Sequence, residues 1–426
     1  MTEFSAETYQ NEYLAVGATE VDAVVRVSAS GGDVSHSERP GAAEIILVDV
    51  SGSMKQPPSK MRAARDATAA AIDCVRDGVM FGIVAGTDSV REVYPGKGVL
   101  VAASEATRAA AKEAVSGLSA GGGTAMGRWL TCAAVLFAGY PDAIHHAILL
   151  TDGRNESELP GELETALGKC EGSFQCDCRG VGANWEVSEL RLIASTLLGD
   201  VDVIRDPEEM AADFTEMMRR AMGRSVNDVA LRVWTPTNAT VSFVKQVAPE
   251  IEDLTERRVA VDERTGDYPT GAWGDEVRDY HVRITFPARA VGEEMLAARL
   301  SLVVDDRPVT EAKIRALWTN DEALSTHLNP EVVRSIGQSE YAEAVQSGIA
   351  ALRDGDDANA TRLLGRAAQL ADALGDGEKL GEVGVVVQIE DAATGTIRLK
   401  SQVDEADLIE ADAHSTKTTR TKKLGP

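Results

Sequence analysis

Apolar positions along this chain fall in short runs, and the spacing between the runs changes character twice. Residues 22–30, DAVVRVSAS, predict one strand, followed by the turn-rich GGDVSHSERPG. From 41 to about 223 the runs are EIILVDV (44–50), VMFGIVAG (79–86), HHAILLTDG (145–153), FQCDCRGVG (174–182) and DVDVIRD (200–206). Between them lie 60–75, 105–117, 126–137, 187–198 and 208–222, rich in Ala, Leu, Met and charge. In the first of these Met61, Ala64, Thr68, Ile72 and Val75 share a stripe at helical spacing. Apolar strands alternating with helices predict βαβ crossovers and a doubly wound, Rossmann-like α/β domain whose parallel sheet is covered on both faces.

From 226 to about 318 the pattern shortens to a period of two. VALRVW, TVSFVKQVA, RVAVD, YHVRITF, ARLSLVV and KIRALW read as strands separated by turn signals, which predicts an antiparallel β-sandwich. Strand 22–30 would complete that sandwich from before the α/β domain, making the α/β domain an insertion. The expected boundaries are 1–40 for the first sandwich strand or strands, 41–223 for the α/β domain and 224–318 for the sandwich. A helical region is expected over 319–400 and a flexible tail over 401–426. Within the helical region two amphipathic helices flank the acidic turn RDGDDAN, and EVGVVVQIEDAATGTIRLKS is ambiguous between helix and strand. That turn lacks the glutamate that would close a calcium loop, so it reads as a solvated connection.

Composition narrows the function classes. With 44% hydrophobic and 26% charged residues in 426, the chain is globular rather than disordered. A formal charge of −25 excludes a broad basic face for nucleic acid. The N-terminal residues carry no basic-then-apolar leader pattern, and no apolar run reaches the roughly 20 residues of a membrane span. Five cysteines, Cys74, Cys132, Cys170, Cys176 and Cys178, suit reduced thiols, so the expected compartment is the cytoplasm. Cys170, Cys176 and Cys178 lack the paired spacing of a zinc site and read as buried thiols.

Chemistry concentrates where strands end. EIILVDVSGS places Asp49, Ser51 and Ser53 at the end of one strand; SAGGGTAMG offers Thr124 ahead of a helix; AILLTDG ends with Asp152. In a parallel sheet the carboxyl ends share one edge, and a crevice forms where the winding reverses. If the first strand and AILLTDG lie side by side there, five short oxygen-bearing side chains converge from three loops. Such donors suit a small hard cation, and a set dominated by hydroxyls favours Mg²⁺ over a calcium cage, although Mn²⁺ and Ca²⁺ remain open. Taken singly, each segment reads as a cap or turn.

Together, Asp-x-Ser-x-Ser at 49–53, Gly-Gly-Thr at 122–124 and Thr-Asp-Gly at 151–153 resemble the metal-ion-dependent adhesion site of von Willebrand factor type A domains. The wider layout is similar to bacterial cytoplasmic proteins akin to calcium-activated chloride channel subunits. The resemblance implies Mg²⁺ held directly by Ser51, Ser53 and Thr124 and mainly through water by Asp49 and Asp152. It also implies a sixth ligand from an Asp or Glu of a partner protein, hence a non-catalytic interaction module.

Two other readings stay open: a metal-dependent phosphohydrolase using Asp49, and a structural ion that touches no partner. A phosphatase commonly has a second acid two residues after its nucleophile; here that position is Ser51. No phosphate-binding Gly-Lys-Ser/Thr is present, and His145 and His146 begin a strand whose far end carries Asp152. In the tail, Ser415, Thr416, Thr418, Thr419 and Thr421 alternate with basic residues, which suits a kinase and a phosphothreonine-binding protein as further partners.

Overall fold

The computed structural model describes residues 2–31 and 41–418. The described residues divide into two units: those from 41 to 225 form one, and those up to 31 and from 226 onward form the other.

The α/β unit is built on a central strand, Gly41–Asp49, whose run AAEIILVD is almost wholly buried. Side chains alternate across it. Ile46 and Val48 face a core shared with Met61, Ala64, Phe214 and Met217 of covering helices, while Ile45 and Leu47 are buried on the opposite face. Strand order across the sheet is Val201–Ile204, Gln175–Val181, Ala143–Thr151, Gly41–Asp49, Met80–Gly86, Val90–Tyr94. The winding therefore reverses at Gly41–Asp49, which pairs in parallel with Ala143–Thr151 on one side and Met80–Gly86 on the other. That is the switch point expected from the sequence. The parallel sheet needs one correction: Val90–Tyr94 and the short Val101–Ala102 pair antiparallel with Met80–Gly86. Five covering helices lie where the amphipathic stretches were: Pro58–Cys74, Glu105–Ser116, Met126–Phe137, Val187–Thr196 and Met210–Gly223. A sixth, Glu162–Cys170, is short, contains Gly168, and gives no stripe long enough to read.

In the other unit Glu20–Ser30 pairs with Glu3–Gln10 and with Glu276–Thr285, which continues to Thr240–Ala248 and Glu252–Asp253. A second sheet runs Val259–Ala260, Thr265–Trp273, Val226–Trp234, Glu294–Val304, Ala312–Thr319, Tyr13–Ala15. Both sheets contribute to one core that includes Val25, Tyr280, Leu231, Leu300 and Trp318, which makes them a sandwich. All pairs are antiparallel except Tyr13–Ala15 with Ala312–Thr319. Thr265–Trp273 carries Pro269 and two glycines, signals against a strand. It is nonetheless internal, accommodated by register shifts opposite Val226 and Val229 with Gly271 at φ +78°.

Helices Pro330–Arg353 and Asp357–Leu374 pack against each other across the acidic turn, where Asp356 accepts a hydrogen bond from the Asn359 amide. The ambiguous stretch resolves into helix Gly377–Val386 and the hairpin Val387–Asp391 with Thr396–Leu399. The flexible tail expected over 401–426 is corrected as far as it is described. Glu405–His414 is a helix that buries Leu408, Ile409, Ala411 and Ala413, an amphipathic pattern hidden by its acidic and small residues. The next residues lie along 249–251: the Ile251 amide donates to Thr416 O at 2.8 Å and the Thr418 amide to Pro249 O at 2.9 Å. Ser415 and Thr416 are buried, and Thr418 Oγ1 donates to Val247 O, so these three are tied-down residues rather than open kinase acceptors. Thr419 and Thr421 lie outside the described residues. Among the described residues no helix is long and apolar enough to cross a membrane.

Candidate metal centre

Three loops at the carboxyl edge of the α/β sheet are laced together through their backbones. The Gly52 amide donates to Gly122 O at 2.9 Å, and the Gly121 amide returns a hydrogen bond to Val50 O at 2.7 Å. Gly122 sits at φ +89°, and a Cβ on Gly123 would fall 2.0 Å from Ser157 Oγ. The glycine run is thus required by both backbone conformation and close approach. It delivers Thr124 to the start of helix Met126–Phe137, with the Thr124 amide held by Ser157 Oγ at 3.1 Å.

The five side chains singled out by the sequence come together here. Asp49 is fully buried; its Oδ1 accepts the Ser51 amide at 2.7 Å and its Oδ2 the Thr151 hydroxyl at 2.6 Å. Ser51 and Ser53 share a hydroxyl–hydroxyl hydrogen bond of 2.8 Å, and Ser53 Oγ donates to Asp152 Oδ1 at 2.6 Å. A Cβ built on Gly153 would lie 3.1 Å from Thr124 Oγ1, 3.3 Å from Ser53 Oγ and 3.8 Å from Asp49 Oδ2. Oxygens from two of the loops therefore line one small cradle over Gly153 of the third, a space that any larger residue would invade. Burial pushes the Asp49 carboxyl up to about 6, against the hydrogen bonds from Ser51 and Thr151. A buried acid in that state gains from a cation beside it.

Two participants were not legible. Thr151 reads as the first residue of Thr-Asp-Gly, yet its hydroxyl orients Asp49. Lys60, the third residue of helix Pro58–Cys74, buries its side chain and brings Nζ to 2.6 Å from Asp152 Oδ2. The one sequence signal for it is a lysine in a helix first turn, where the helix dipole disfavours a cation.

The family models for the von Willebrand factor type A domain and the von Willebrand factor type A C-terminal domain match residues 43–202 and 369–415. A solved structure, von Willebrand factor type A from Catenulispora acidiphila, is 47% identical over 98% of this chain and 97% of that one, with a TM-score of 0.93. The chain belongs to the von Willebrand factor type A family. The von Willebrand factor type A fold is shared at much lower identity. The ArnB paralog VWA2 from Sulfolobus acidocaldarius is 13% identical, covering 97% of this chain and 98% of that one at TM-score 0.58. Human COPII-coat protein Sec24c is 11% identical, covering 92% and 59% at TM-score 0.56. No curated protein matches.

Elsewhere in the von Willebrand factor type A domain the remaining candidates are structural. His145 stacks on Phe137 with centroids 4.7 Å apart and bonds backbone carbonyls through both ring nitrogens. His146 is buried between two acids, with Nδ1 2.8 Å from Glu44 and Nε2 2.9 Å from Asp177. Cys170, Cys176 and Cys178 are buried free thiols, and burial raises the Cys176 thiol well above its ordinary value. Among the described residues no group of three His, Cys, Asp or Glu gathers to hold a metal, so the oxygen cluster depends on hydroxyls.

Proposed function

We propose that this protein is a metal-dependent interaction module whose oxygen cluster takes a divalent cation, Mg²⁺ by preference. Ser51, Ser53 and Thr124 would bind the ion directly, and Asp49 and Asp152 would bind mainly through water. A bound ion would supply a Lewis-acidic position open to an Asp or Glu side chain of a partner protein. The observation that carries this reading is the cradle over Gly153, where Thr124, Ser53 and Asp49 oxygens face one space. Family membership agrees with it, because von Willebrand factor type A domains commonly serve as metal-dependent protein-interaction modules.

The chain's own residues prepare the site. Thr151 and the Ser51 amide fix both oxygens of Asp49, and Ser53 and Lys60 fix those of Asp152. Two carboxylates whose oxygens are all engaged are poised to hold a cation rather than to attack phosphorus, so we favour a non-catalytic role over a phosphohydrolase. One carboxylate–metal contact is selective but insufficient, and a surrounding interface of roughly 1,600 Å² is expected. Affinity capture on the intact protein, with and without a chelator, tests the reading. A partner retained by wild type, released by chelation and lost with Asp49→Ala or Thr124→Ala supports it. The same partner retained under all those conditions overturns it.

A further inference from the structure

We infer that Lys60 is a resident cation that sets the charge of the oxygen cluster: it holds divalent-ion binding weak and leaves the loaded cluster positive toward an outside carboxylate. The inference rests on the metal reading above.

Three observations place Lys60 in this role. Its side chain is buried and Nζ meets Asp152 Oδ2 at 2.6 Å, while Asp152 Oδ1 takes the Ser53 hydroxyl at 2.6 Å. One carboxylate thus joins the ammonium to the hydroxyl chain of the cluster. Lys60 also stands in the first turn of Pro58–Cys74, where the helix dipole opposes a positive charge, and no acidic residue of that turn offsets it. Finally, Gly182 lies beside the ammonium, where a Cβ would sit 3.8 Å from Nζ. Nearby on the rim are Lys55 and Asp88, both exposed and of opposite sign, so the fixed charge inside is set by Asp49, Asp152 and Lys60.

The charge arithmetic has two consequences of opposite sign. Two carboxylates and one ammonium sum to a single negative charge, against two without Lys60, so the lysine lowers the attraction for a divalent ion. With the ion bound the same groups sum to a single positive charge, against neutrality without Lys60. An incoming carboxylate is then drawn to a site that still carries net positive charge. A lysine that served only to stabilise the fold would move both affinities in the same direction or neither.

Purified full-length protein titrated with Mn²⁺, followed by water-proton relaxation, reads the first consequence. Paramagnetic broadening of acetate by the Mn²⁺-loaded protein reads the second. For Lys60→Met we expect Mn²⁺ to bind about tenfold more tightly or better and acetate to associate severalfold more weakly. Lys60→Arg, which keeps the charge, should restore the wild-type order of both, and Lys60→Gln carries the same expectations as Lys60→Met should that variant fail to fold. Unchanged or weaker Mn²⁺ binding in the neutral variants, or both affinities moving together, overturns the role of Lys60 while leaving the metal reading intact. Absence of saturable Mn²⁺ binding to wild type overturns both.

Discussion

A methyl group on residue 153 would reach into the space that Thr124, Ser53 and Asp49 share, 3.1 Å from the threonine hydroxyl. Gly153→Ala is therefore expected to weaken divalent-ion binding about tenfold, or ~1.4 kcal/mol. Its effect on the melting temperature should be small, because Gly153 is outside the left-handed backbone region. Titration calorimetry of the folded variant checks this. At this scale Asp49, Ser51, Ser53, Thr124 and Asp152 were all legible because each sits at a strand end or just before a helix, where local spacing dictates position. Lys60 and Thr151 were not: the pairings with Asp152 and Asp49 join residues 92 and 102 positions apart and exist only once the sheet is assembled.

Elements carry their own sensitivities. The strand Met80–Gly86 ends against helix Met126–Phe137, and a Cβ on Gly86 would lie 2.2 Å from the Trp129 ring. Trp129 is pinned by its indole N–H donating to Thr87 O at 2.7 Å, so it cannot swing aside freely. Gly86→Ala should cost roughly 1–3 kcal/mol or more by overpacking, read from urea unfolding. Within the same sheet, burial pushes His146 down, but Glu44 and Asp177 outweigh it and hold the imidazole above its ordinary value. Burial pushes Asp177 up, yet His146, Arg224 and Arg179 hold it below the usual range, while burial leaves Glu44 raised. The His146 contribution is thus complete below an ordinary histidine value of about 6.5 and is lost as pH rises through the raised folded value. The Asp177 contribution is present above its ordinary value and lost as pH falls through the depressed one, and Glu44 opposes stability once pH exceeds its ordinary range. Urea midpoints should therefore be higher at weakly acidic pH than in alkali, and His146→Gln should flatten the alkaline decline while costing roughly 3–5 kcal/mol through the acids left unpaired. Among elements, long apolar strands and striped helices were readable. Thr265–Trp273 was not, because tertiary pairing overrode its proline and glycines, and Glu405–His414 was not, because a short helix of small and acidic residues gives a weak period.

For the whole molecule, the chain leaves one unit after Glu20–Ser30, builds the α/β unit, and returns at Val226–Trp234, an insertion legible from the change of hydrophobic period alone. Less legible was the closing of the helical core by the last described residues, where Leu408 and Ala411 join Val345, Leu364 and Val383. Truncation after Val403 should speed hydrogen exchange in Pro330–Arg353 and Gly377–Val386 while leaving Gly41–Asp49 unchanged; equal loss of protection in both units would contradict this division. A net charge of −25 also means that divalent ions will gather loosely on any variant, so the oxygen cluster must be judged against a matched control. Calorimetric titration of Mg²⁺ into wild type and Asp49→Ala, side by side, is that measurement. The account expects one saturable site in wild type that disappears in a variant still folded by circular dichroism. Equal binding in both proteins, or none in wild type, would contradict it.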